Sequence, residues 1–152
     1  MPTVLDVATF LIQQGGAMTP AKLHKLLYYC QGHHLAWDDE ALFSEVLEAW
    51  AHGPVCHDLW VQHRHLNQIE PGQLPGLTSE LSEEEKDTVL AVLDAYGHLG
   101  GHELGVMTQH ETPWLVARHA VSPGQRHNQP LDLDVMRQFF AQQIALDEAQ
   151  SE

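Results

Sequence analysis

The chain has 152 residues, 43% of them hydrophobic, which fits one folded domain over residues 1–152 with a single core. Seven Lys+Arg stand against 21 Asp+Glu, a formal net charge of -14, so the sequence carries no basic footprint for direct nucleic-acid or anionic-membrane binding. "MPTVLDVATF" lacks the basic start of a secretory signal, and no apolar run approaches a membrane span. With Cys30 and Cys56 as the two cysteines, the expectation is a cytoplasmic protein with reduced thiols.

Apolar residues at helical spacing predict a first helix over residues 4–12, stopped by Gly15 and Gly16. Thr19 and Pro20 then form a cap and first-position pair, and Leu23, Leu26, Leu27 and Cys30 line one face of a helix running to about Ala36, despite Gly32. After a polar connection, residues 45–52 alternate as a short strand or hairpin element, with Glu48 and Trp50 on one side and Leu47 and Ala49 on the other. Gly53-Pro54-Val55 is expected to turn the chain into a helix over "CHDLWVQHRHL", with Leu59 inward.

Residues 67–80 carry two Pro-Gly pairs and read as a loop. Ser82 and Glu85 make a capping box for a helix with Val89, Leu90, Leu93 and Tyr96 inward, ended by Gly97, Gly100 and Gly101. Glu83, Glu84 and Glu85 sit at the positive end of its dipole. A short helix over "HELGVMTQ", one capped by Thr112 with Pro113 inside, a loop over 122–130, and a last helix capped by Asp132 complete the chain. The fold class expected is mainly α: about six or seven helices with a small β element.

"EAWAHGPVCHDLW" places Cys56 beside His57, and seven of the twelve histidines fall between His24 and His65. If all twelve were protonated, the formal charge would rise to about -2. Zinc sites need three or four ligands on a tetrahedral frame, and neither HExxH nor CxxC occurs. His52 and Cys56 are four apart, but Gly53-Pro54 breaks any helix between them. A helix start just before Cys56 would lower its thiol pKa, yet adjacent helical residues diverge by about 100°, which leaves His57 badly placed as its base. "GGHELG" lacks both the preceding strand and the lysine of a phosphate loop. No catalytic, metal-ligating or cofactor-binding residue is assigned. Trp37, Trp50, Trp60 and Trp114 read as core, or as the aromatic anchors of a protein interface.

Three segments carry a resemblance. Lys22, Leu23, Lys25, Leu26, Leu27 and Tyr28 form the first; Glu48, Ala49, Trp50, Gly53, Pro54 and Val55 the second; His110, Pro113, Trp114 and Arg118 the third. Together, over roughly residues 3–146, the chain resembles the Panacea antitoxin domain, a family that includes SocA-like proteolytic adaptors and GepA-like phage-associated proteins. Cys56 and His57 fall where that family is not defined by Cys or His. The resemblance implies the antitoxin of a toxin–antitoxin system, set in phage defence, rather than an enzyme. Such a protein neutralises a cognate toxin encoded beside it by direct protein contact. An acidic chain suits a basic toxin, and Glu48, Trp50, Glu83, Glu84 and Glu85 are the candidate contacts. The alternatives are an adaptor that delivers the toxin to a ClpXP-type protease and, from another class, a His-rich metal-dependent or thiol enzyme.

Overall fold

A computed structural model describes residues 1–119 and 128–150. Seven α-helices and a three-stranded sheet are present among them. Helix α1 (Val4–Gly15) starts at a capping box: the Asp6 N–H donates to the Thr3 hydroxyl at 3.2 Å, and the Thr3 N–H donates to Asp6 Oδ2 at 2.9 Å. Helix α2 (Pro20–Asp38) starts where the Lys22 N–H donates to Thr19 Oγ1 at 3.2 Å, with Pro20 needing no donor of its own. It ends at Asp39, which takes the left-handed conformation, its N–H donating to the Leu35 carbonyl.

Helix α2 is the axis of the molecule. Every residue from Leu23 to Leu35 is buried, polar ones included. Helices α1, α4 (Glu83–Tyr96), α5 (Gly101–Thr108) and α7 (Leu133–Gln150) pack around it together with the sheet. A helix covered on all sides has no solvent stripe, which is why its sequence shows little amphipathicity. Gly32 belongs to this packing: a Cβ there would sit 2.1 Å from the Phe140 ring of α7. The missing side chain costs helix propensity and admits an aromatic ring against the backbone.

The sheet has the order β2-β1-β3, all antiparallel, from Leu47–Trp50, Gly53–Cys56 and Gln129–Pro130. Here the structure corrects the sequence reading. Gly53-Pro54-Val55 is not the turn; it is the second strand, and the chain reverses at Ala51-His52. Proline is tolerated because β2 lies at the sheet edge. Gly53 has φ +127°, and a Cβ there would meet Lys25 Cε and Thr108 Oγ1, both at 2.8 Å. Only glycine satisfies both constraints.

Helix α3 (His57–His63) follows β2 directly, with Leu59 inward as expected. The loop over 67–80 includes a single 3-10 turn, Thr78–Glu80, and is tied to α1. The Leu77 N–H donates to Asp6 Oδ1 at 2.8 Å, and Ile69 exchanges backbone hydrogen bonds with Met18 at 2.8 and 3.0 Å. On α4, Val89 is buried and Leu93 and Tyr96 pack against the core, as expected, and Thr88 and Val92 are buried too, whereas Leu90 is exposed. Helix α6 (Thr112–His119) already includes Thr112, so Thr112 is its first residue rather than its cap. The Val135 N–H donates to Asp132 Oδ1 at 3.0 Å, the cap expected for α7. Of the loop expected over 122–130, Gln129–Pro130 is instead the strand β3, and residues 122–127 lie outside the described residues.

Candidate functional site

The three motif segments converge on the hairpin. The side chains of Trp114 and Arg118 are four apart on α6 and reach the same strand. Trp114 Nε1–H donates to the Trp50 carbonyl at 2.8 Å, and Arg118 donates to the Ala49 carbonyl at 3.1 Å. The Arg118 guanidinium lies 5.4 Å from the Trp114 ring centre. This clamp fixes β1 against α6. Lys22 reaches the other way, donating to the Gly97 carbonyl at the end of α4 at 2.6 Å. Leu23, Leu26, Ala49 and Val55 are core. Pro113 is buried, and His110 is exposed with Nδ1 2.9 Å from the Val106 carbonyl. Most of the motif therefore holds the fold together.

Tyr28 joins a buried network that the sequence reading missed. Tyr28 and Tyr29 donate to the two oxygens of Glu111, at 2.9 and 3.0 Å. Burial raises the Glu111 pKa to about 7, against the lowering effect of these two hydroxyls. Tyr96 stacks on Tyr29 with centroids 4.2 Å apart, and its hydroxyl lies 3.0 Å from His33 Nε2. Burial lowers the His33 pKa to about 4, so its imidazole is neutral. The "HET" stretch at 110–112 gave no local sign that its glutamate turns inward.

A cavity of about 510 Å³ opens between the start of α2, the hairpin and α3, within the usual range for small-molecule sites. Trp50, Trp60, Val55 and Leu66 supply apolar walls; His24, Lys25, His52, His63, Arg64 and Asn128 supply polar, nitrogen-bearing side chains. Hydrogen bonds assign the histidine tautomers. The Cys56 N–H donates to His24 Nδ1 at 3.1 Å, so His24 carries its proton on Nε2. That N–H points at His63 Nε2, 2.7 Å away, which leaves the His63 proton on Nδ1. Burial and then the charges of His63 and Lys25 hold His24 well below the ordinary imidazole pKa. Lys25 lies one residue on and is lowered by burial to about 8.

Cys56 and His57 do not form a unit. The Cys56 thiol is buried and pushed up to about 11 by desolvation, the opposite of the lowering a helix start would give. His57 is exposed and stacks on Trp60 at 5.7 Å. Among the described residues no group of three His, Cys, Asp or Glu is placed to hold a metal ion. Among them, too, no helix is long and apolar enough to cross a membrane.

The structure does not bring the acidic candidates together. Glu48, on β1 of the hairpin, accepts from Trp50 Nε1–H at 2.9 Å. Glu83, Glu84 and Glu85 begin α4 near the far end of α2, where His34 Nδ1 lies 2.8 Å from Thr88 Oγ1. Ten residues of α2 separate His24 from His34, about 15 Å along the helix. Glu85 is occupied by its capping box, accepting from the Ser82 N–H at 2.7 Å, and Glu83 lies 3.8 Å from Lys86. Glu84 stays open to solvent beside Trp37, Asp38 and Asp87, which line a shallow groove. Trp37 is 46% exposed and stacks on His33 at 4.8 Å.

The family model for the SocA-like antitoxin, Panacea domain, matches residues 23–115. No curated protein and no solved structure matches the chain.

Proposed function

The chain belongs to the SocA-like antitoxin, Panacea domain family, and on that premise we propose that it neutralises a cognate protein toxin by direct binding. The match over residues 23–115, from within α2 to α6, is the observation that carries this reading. The net charge of -14 supports a basic toxin, whose capture would be accelerated by complementary fields.

The groove between the end of α2 and the start of α4 is the contact face that best suits such a partner. Trp37 is a large exposed aromatic already held by the His33 ring, so little side-chain entropy is lost when a partner covers it. Asp38, Glu84 and Asp87 surround it. Glu48 and Trp50, at the hairpin, form a second and separate contact candidate.

Co-expression with the product of the neighbouring reading frame tests the reading. The chain should relieve that product's growth arrest, and Trp37→Ala combined with Glu84→Lys should weaken the relief while leaving the fold intact. Failure of the chain itself to restore growth would contradict neutralisation. The toxin's half-life separates mechanisms: unchanged half-life fits occlusion, and a shortened one fits delivery to a ClpXP-type protease.

A further inference from the structure

The cavity beside the hairpin contains a cation with no assigned partner. Lys25 is 4% exposed, yet no carboxylate or hydrogen-bond acceptor pairs with it among the described residues. The fully enclosed side-chain polar atoms left without a partner among the described residues are His63 Nδ1, at this cavity, and His33 Nδ1, farther along α2. Lys25 Nζ is not one of them, so the ammonium keeps an open side. Lys25 also lines a second cavity, of about 440 Å³, across the His52-Gly53 backbone. The charge pattern is the reverse of the chain's. Acids outnumber Lys+Arg by three to one overall, but no Asp or Glu lines the main cavity among the described residues, whereas Lys25 and Arg64 both do.

We propose that this cavity binds a small organic anion, a carboxylate or phosphate monoester carried on a flat apolar body. The head group sits against the Lys25 ammonium, on the sixth residue of α2. Arg64 is exposed at the rim and rests 6.0 Å from the Trp60 ring centre, free to fold over the anion as a forked donor. The body lies against Trp50, Val55 and Leu66. Burial excludes competing water from the lysine, which strengthens a single ion contact well beyond its value at the surface.

Calorimetric titration of the full chain with indole-3-acetate, AMP and the neutral indole-3-acetamide tests the site and needs no toxin. Its failure would leave the neutralisation reading untouched. At least one of the two anions should bind one per chain, at least tenfold more tightly than the amide. Which of them binds distinguishes a carboxylate from a phosphate head. Lys25→Met should lose at least tenfold affinity, and Arg64→Gln, on the exposed rim, should lose affinity without disturbing the core. The proposal is overturned if neither anion binds more tightly than the amide, or if Lys25→Met and Arg64→Gln both bind like the parent chain.

Discussion

Burial holds the Lys25 ammonium at a pKa of about 8, against 10.5 for a free lysine, because the neighbouring protein replaces water without supplying a counter-charge. Below pH 8 the group is protonated in both the folded and unfolded chain, and its desolvation opposes folding by about 3 kcal/mol. That penalty fades as pH rises from 8 to 10.5, where the unfolded chain alone still binds the proton. Lys25→Met should therefore stabilise the protein at pH 7, by about 1–3 kcal/mol, read as a higher urea midpoint with an unchanged slope. Lower stability would mean that the ammonium has a partner. In the sequence, Lys25 stands out as a motif residue, but its burial is not legible. His24, Lys25, Gln31, His33 and His34 are polar types that sequence alone places at a surface, and the groups that cover them lie outside α2. Gln31 shows the pattern: it donates to the Phe43 carbonyl and accepts from the Leu42 N–H.

Helix starts are the most legible elements because their causes are local. Thr19-Pro20, the Ser82–Glu85 box and Asp132 all cap as their types require. The hairpin is half legible. Its alternation over Leu47–Trp50 is real, but Gly53-Pro54 reads as a turn on local grounds and is a strand for tertiary ones. Gly53 must make room for Lys25 and Thr108, and Pro54 sits on an edge strand. Gly32 shows the same limit. Propensity alone favours alanine in mid-helix by up to about 1 kcal/mol. Contact with the Phe140 ring reverses the sign, since a Cβ has nowhere to go. Gly32→Ala should lower stability by about 2 kcal/mol, a drop of roughly 4–8 °C in a thermal melt. A higher melting temperature would show that α7 does not seat on α2 as described.

Across the whole molecule, two sets of buried groups set opposing pH dependences. His24, His33 and His63 have lowered folded pKa values, from burial above all. As pH falls below 6.5 the unfolded chain takes up protons first, and stability is lost. Glu111 works the other way: its folded pKa of about 7 lies above the ordinary 4.5, so its contribution to stability grows as pH falls from 7 to 4.5. Removing it in Glu111→Gln should make the loss of stability from pH 7 to pH 5 steeper, measured by urea unfolding at several pH values. A shallower loss would mean that Glu111 is ionised in the fold.

The antitoxin resemblance is legible in three short segments, and two of them meet in the clamp of α6 on β1. The groove around Trp37 was not legible, because Asp38 and Glu84 become neighbours only when α4 packs on α2. The most direct measurement is calorimetric titration of the purified chain with the purified product of the neighbouring reading frame, at low and high salt. Neutralisation by direct binding predicts a stoichiometric complex whose affinity falls as salt rises, since opposite charges steer the encounter. Absence of binding at micromolar concentrations would contradict it.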